Sequence, residues 1–285
     1  MRTLLFLFFV LLPLYALAQN SIKPLQIPQR DSNAETGSEF MQRMIPLELE
    51  EREEEIFKAL ASGNMPDFLR EPIRLTSMFS DALGQYHELV YEVMPDYLAI
   101  GSNKDYCRIP MNPHTAQRLA DALGASLITA KISEQIYTQA EVKLDPFFYK
   151  PVGRENESVE KFILHNSQIE QQKKEGQGQN GQLIAGIKKD VILSNRLANS
   201  PSKVVIYGWH KLDGLPIQPV YSGHVDWYVD YSHGIRLMNQ HVILDGEITT
   251  VSKILSDPAL FHLLSDEESP MALTRYLKPS NSPTS

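Results

Sequence analysis

The sequence predicts an α+β protein, with a helical N-terminal half and a mainly antiparallel sheet in the C-terminal half. Three observations predict it. Apolar residues recur at helical spacing in four segments before residue 175. After residue 183, short apolar runs are punctuated by the hairpin dipeptides Asp213-Gly214 and Asp245-Gly246. Strands and helices alternate too irregularly for a doubly wound sheet.

The first helix is expected from Leu47 to Ala61. Glu48, Glu50, Glu51, Glu53, Glu54 and Glu55 load its first half, where the helix dipole favours anions. They read as a solvated face. Gly63-Asn64 ends the helix and Pro66 follows. Leu89 to Val93 and Tyr97 to Ile100 are expected strands, and Tyr106 to Ile109 returns after a turn at 101–105. Asn112 caps a helix with Pro113 at its first position, Ala116, Leu119, Ala120 and Leu123 form its apolar stripe, and Gly124 closes it. Further helices are expected over 130–141 and 158–174, with a loop from Asp145-Pro146 to Gly153 between them.

Residues 175–182 carry three glycines and no apolar side chain. They read as a flexible segment between a helix-rich portion, 38–174, and a strand-rich portion, 183–277. In the latter, Val191–Leu193, Lys203–His210, Trp227–Ser232, Ile235–Met238 and Val242–Leu244 are expected strands. Two short helices close the fold, the second capped by Asp257 and started by Pro258. Residues 19–37 read as a flexible leader and 278–285 as a disordered tail.

Residues 1–18 have the form of a signal peptide. Arg2 supplies a positive start, Leu4 to Leu12 is unbroken and apolar, Pro13 interrupts it, and Ala16-Leu17-Ala18 offers small residues at the cleavage positions. The apolar run is shorter than the roughly 20 residues a bilayer span needs. No Cys follows for lipid attachment, and no later segment is apolar enough to be a transmembrane segment. The expected setting is periplasmic or secreted. The chain holds 27 Lys+Arg against 35 Asp+Glu, and 42% of it is hydrophobic. That acidic balance argues against nucleic acid as a partner. The single cysteine, Cys107, leaves no intramolecular disulfide. It lies away from any helix N-terminus and reads as a packed thiol.

Site-capable side chains gather in one stretch: His210, His224 and His233, with Asp226, Asp230, Ser232 and Arg236 among them. In a straight strand through 226–237, alternate side chains face opposite ways. Asp230 would then point away from His233. A bend at Gly234 would let Ser232, His233 and Arg236 converge. The structural reading of the same residues is a core histidine and an Arg236–Asp230 ion pair. Lys188, Lys189, Asn195 and Trp227 are candidates for holding a substrate carboxylate, phosphate or apolar face. Three histidines with a carboxylate also fit zinc, but the HExxH pattern is missing and no metal ligand is assigned.

The run YVDYSHGIRL, with KKDVILSNRL and VVIYGWH upstream, resembles a group of exported bacterial proteins without an assigned activity. The resemblance covers most of residues 90–265 and implies a bacterial periplasmic or secreted setting. Separately, Ser232-His233-Gly234-Ile235-Arg236 is similar to part of the L,D-transpeptidase signature, in which Ser-His-Gly precedes the nucleophilic Cys. His233, Gly234 and Arg236 match. Ile235 stands directly after Gly234 and the Cys is missing, so that family's cysteine chemistry is not carried over.

The expected function is a hydrolase acting on a cell-envelope or extracellular polymer, with His233 or His224 as general base, Asp230 orienting it and Arg236 binding an anion. The alternatives are a non-catalytic binding protein for a small ligand or partner, built on Tyr221, Trp227, Tyr228 and Tyr231, and a metal-dependent hydrolase. At least two of His210, His224, His233 and Asp230 within hydrogen-bond reach in one cleft would favour the enzyme. An aromatic surface patch would favour the binder. The export signal is checked by N-terminal sequencing of the mature protein, which should begin at Gln19. Retention of Met1 in a cytoplasmic product would refute it.

Overall fold

The computed structural model describes residues 21–277. The expected signal peptide at 1–18 and the expected disordered tail at 278–285 lie outside the described residues. Two helices open the body, α1 (Gly37–Met44) and α2 (Leu49–Ala61). A capping box starts α1: Thr36 accepts from Glu39 N, and Glu39 accepts from Thr36 N. Hairpins β1 (Ile73–Ser80)–β2 (Tyr86–Val93) and β3 (Ala99–Gly101)–β4 (Tyr106–Arg108) follow. Next come α3 (Pro113–Leu123), β5 (Ala125–Leu127), α4 (Ala130–Gln139), β6 (Val142–Lys143) and α5 (Val159–Glu175). Then β7 (Ile184–Ala185), β8 (Lys189–Val191) and the one-turn α6 (Arg196–Asn199) lead to β9 (Ile206–His210) and β10 (Pro216–Tyr221). Strands β11 (His233–Gly234), β12 (Leu237–Asn239), β13 (His241–Leu244) and β14 (Glu247–Thr250) precede α7 (Val251–Ser256).

The chain is α+β, as its patterning predicts. One sheet of six strands is antiparallel throughout, with β1 on one side of β2 and β12 and β13 on the other. A second sheet runs β10-β9-β8-β11, and its β8–β11 pair is parallel. Local chemistry sets several boundaries. Asn112 Oδ1 accepts from His114 N and Thr115 N, and Gly124 ends α3 at φ 69°. Asp245 (φ 51°) and Gly246 (φ 86°) make the tight β13–β14 turn with both central residues left-handed.

Several elements differ from expectation. Strand β1 is an edge strand burying only Leu75 and Phe79, four residues apart, so its alternation is weak in sequence. The expected helix after Asp257 shrinks to a 3₁₀ turn at Phe261–Leu263, because Asp257 Oδ1 accepts from Ala259 N and Leu260 N and holds a local turn. The expected strand Trp227–Ser232 is a loop, for reasons given with the site. The glycine-bearing segment 175–182 is anchored: Gly178 N donates to Lys173 O, and Asn180 Oδ1 accepts from Lys173 Nζ and Tyr106 OH. The leader is also tied from Ser21 onward. Ile22 is buried, Gln26 N donates to Leu123 O, and Asn239 Nδ2 donates to Lys23 O.

Buried charge lies between the sheets. Arg108 donates from Nε to Asp96 Oδ1 at 2.9 Å and from its second arm to Asp96 Oδ2 at 2.5 Å. Its third nitrogen reaches Asn166 and Glu170 of α5. Arg108 and Asp96 are each about 1% exposed. Burial alone would raise the Asp96 carboxyl, but Arg108 and then Arg236 outweigh it and hold the carboxyl below the ordinary range. No helix among the described residues is long and apolar enough to cross a membrane.

Arg108→Met should strand Asp96 as a buried, unpaired charge and cost about 3–5 kcal/mol. Denaturant unfolding of this variant, of Asp96→Asn and of the double variant measures their coupling. Strictly additive losses would mean the pair is not the anchor described.

Candidate functional site

The loop at 226–232 is set by Asp230. Its Oδ1 accepts from Ser232 N at 2.8 Å and from Ser232 Oγ at 2.5 Å. This turn replaces the straight strand that the side-chain alternation suggests. Tyr231 N donates to Asn156 O, and His233 N donates to Asp230 O. No hydrogen bond joins Asp230 to His233, whose ring nitrogens both lack a partner, so the simple Asp–His dyad that side-chain alternation argues against is not formed. The two act on each other only as charges at longer range.

Strand β11 then pairs with β8 in parallel register, His233 opposite Lys189 and Gly234 opposite Asp190. His233 and Lys189 therefore share one face. Gly234 does not serve as a bend. A Cβ there would lie 2.6 Å from Lys188 Cβ and from Tyr97 Cδ1, so the position demands close backbone packing.

His233 is 1% exposed, and neither ring nitrogen has a hydrogen-bond partner. Burial lowers its pKa to about 4, against the opposing pull of Asp230. Asp230 is driven up by burial but more strongly down by His233, Lys189 and the Ser232 bonds, to about 2. At neutral pH the site thus pairs a neutral imidazole with an ionised carboxylate. Tyr228 OH donates to Asp230 Oδ2 at 3.1 Å, and the Tyr228 ring meets His233 edge-on at 5.7 Å. His224 stacks on Tyr228 at 4.3 Å, and Tyr221 lies edge-on to His224 at 5.2 Å. An aromatic ladder therefore runs from half-exposed Tyr221 down to buried His233.

On the other flank, the Lys189 ammonium lies 4.7 Å from the Trp209 ring centre, and exposed Phe148 meets Trp209 edge-on. Trp209 holds φ 58°, a strained region for a bulky residue, and its buried Nε1 has no partner. The segment 145–157, which carries Phe148, has no regular element before a single 3₁₀ turn at Glu155–Glu157. Its Tyr149 N donates to Tyr231 OH, and Tyr149 and Tyr231 both meet the buried His165 ring.

The remaining candidates are placed elsewhere. Arg236 is fully engaged inside, donating to Met94 O and Ile184 O with Tyr97 4.3 Å beneath it. At 1% exposure it is out of reach of a substrate anion, and no ion pair with Asp230 is formed among the described residues. Lys188 is 1% exposed and donates to Tyr231 O, so it too is withdrawn from substrate. Asn195 holds the C-terminal segment through Ser269 and Glu267 rather than the rim near Lys189. His210 Nε2 meets Glu134 at 2.7 Å and its ring stacks on Tyr137 of α4. The three-histidine zinc set is therefore not assembled, and no group of three His, Cys, Asp or Glu able to hold a metal ion occurs among the described residues. Ser232 serves the Asp230 turn, and Trp227 is 53% exposed at the site's outer edge. Burial pushes the Cys107 thiol up to about 12, in keeping with a packed role.

Trp209, Tyr228 as a bridge, and His165 were not singled out from sequence. Gly208 before Trp209 is the one available signal, since it often marks unusual backbone. Compared with protein-family models, with curated proteins and with solved structures, the chain matches none.

Burial also lowers His165 to about 2. Both histidines stay neutral in the folded state where the unfolded chain, near 6.5, takes up protons. Their contribution is complete above pH 6.5 and is lost as pH falls from there toward 4. Urea unfolding should lose about 2–4 kcal/mol between pH 6.5 and 5 from these two groups. The His165→Phe/His233→Phe variant should lose distinctly less over the same interval. An unchanged slope would contradict neutral burial.

Proposed function

We propose that the protein is an exported, periplasmic or secreted hydrolase acting on a cell-envelope or extracellular polymer, with His233 as general base. One observation carries this reading: an imidazole 1% exposed, with both ring nitrogens unpaired, beside an ionised Asp230. Buried polar groups are ordinarily paired, and an unpaired one costs about 1–3 kcal/mol. A vacant nitrogen beside a carboxylate suits proton transfer. His233 takes a proton from water as the water oxygen attacks the scissile bond, then returns it to the departing oxygen or nitrogen. Asp230 stabilises the imidazolium formed between the two steps, and the Ser232 and Tyr228 bonds hold Asp230 in place. The covering segments 145–157 and 221–232 are largely loops, which can part to admit a polymer.

The exposed Tyr221 and Trp227, 40% and 53%, favour polymer binding along the site's edge. They are equally what a non-catalytic binding protein would present.

His233→Met separates these readings. Removing an unpaired buried polar group should leave thermal stability unchanged or slightly higher, while hydrolysis in a screen of peptidoglycan and polysaccharides should vanish. Trp227→Ala should weaken polymer binding in either case. A His233→Met protein with wild-type hydrolysis would dispose of the catalytic role. Wild-type protein that sediments with polymer but hydrolyses none of the panel would leave the binding protein in its place.

A further inference from the structure

We infer that the site selects a polymer whose sugar units each carry a single negative charge, as a carboxylate does, with Lys189 as the residue that recognises it. The inference rests on the placement of the site proposed above and names its substrate class. Four observations carry it. The β8–β11 register sets Lys189 beside His233 on one face. Among the described residues, the Lys189 ammonium forms no hydrogen bond or ion pair within 4 Å; its neighbours are the Trp209 ring at 4.7 Å and, at longer range, the Asp230 charge. The residue is half-buried rather than enclosed, and burial lowers its pKa below the usual lysine value, so a ligand anion would supply the partner its ammonium lacks. The other two basic candidates, Lys188 and Arg236, are 1% exposed and donate to backbone carbonyls, which leaves Lys189 as the one of the three that a ligand can reach.

The chemistry narrows the ligand. Lysine recognises an anion as a point charge with several donors. Lys189 and the ionised Asp230 together are close to neutral, so one added negative charge is balanced by the ammonium. A doubly charged phosphate monoester would meet repulsion from Asp230. The flanking surfaces carry aromatic rings: the half-buried His224–Tyr228 stack with exposed Tyr221 on one side, and exposed Phe148, edge-on to the buried Trp209, on the other. Such faces accept the apolar face of a sugar ring while the ring's substituents reach polar groups at its edge.

The test uses the mature full-length protein and paired polymers that differ in charge, polygalacturonate and alginate, each against its own methyl ester. Binding is read by co-sedimentation or by retardation in affinity gels. Wild type should prefer each charged polymer. Lys189→Met should lose about tenfold in affinity for the charged member, the size of one well-placed ionic contact, with little change for the neutral one. Lys189→Arg should retain the preference, and its retention guards against a folding defect in Lys189→Met. Equal binding of charged and neutral polymers by wild type, or an unchanged preference in Lys189→Met, would overturn the inference. A charge preference lost in Lys189→Met without hydrolysis of either polymer would uphold it, and would count against the hydrolase alone.

Discussion

The buried pair of Arg108 and Asp96 is the constraint on which the architecture depends. Two charges at about 1% exposure are costly unless each finds partners on several sides. Arg108 satisfies this by gripping Asp96 with two nitrogens while its third joins Asn166 and Glu170 of α5. One guanidinium therefore ties the β3–β4 hairpin, the segment after β2 and the longest helix to a single point. Arg236 works beside it, holding Met94 O of that segment and Ile184 O of β7, whose own N–H donates to Pro95 O. The backbone between Met94 and Leu98 is thereby fixed, with Met94 N and Leu98 N donating to Leu237 O and Ile235 O. That fixes β12, and through it the position of β11 with His233.

The site is thus built on the outer face of an interior electrostatic frame. Along β8, Lys188 and Asp190 point inward to Tyr231 O and Ser133, while Lys189 faces the other way. Adjacent residues of one short strand carry structural and ligand-facing charge separately, which is a direct result of strand alternation. Trp209 shows the same division locally: its backbone strain and unpaired indole N–H lie where Lys189 and Phe148 meet it.

Much of the fold was legible because its signals are local. Asn112-Pro113 and Gly124 bracket α3, and Asp245-Gly246 makes its turn, through contacts spanning a few residues. The site was legible in membership more than in arrangement. His224, Tyr228 and His233 form one aromatic run beside Asp230, Ser232 and Lys189, but the straight strand that the alternation argument assumes is replaced by one side chain-to-backbone turn. The roles of Arg236, Lys188 and Asn195 depend on carbonyls and carboxylates 43 to 142 residues away. Periodicity carries no information at that range.

The tie between Lys23 O and Asn239 Nδ2 spans 216 residues. A ribosome adds about 5–20 residues per second, so the acceptor is made about 10–40 s before its donor exists. For roughly the first half of that interval the early strap lacks even the Leu123 carbonyl that Gln26 N will reach, and the Asn239 amide comes later still. The last strands made are those that let the first residues settle, and the chain stays open-ended until synthesis is nearly done.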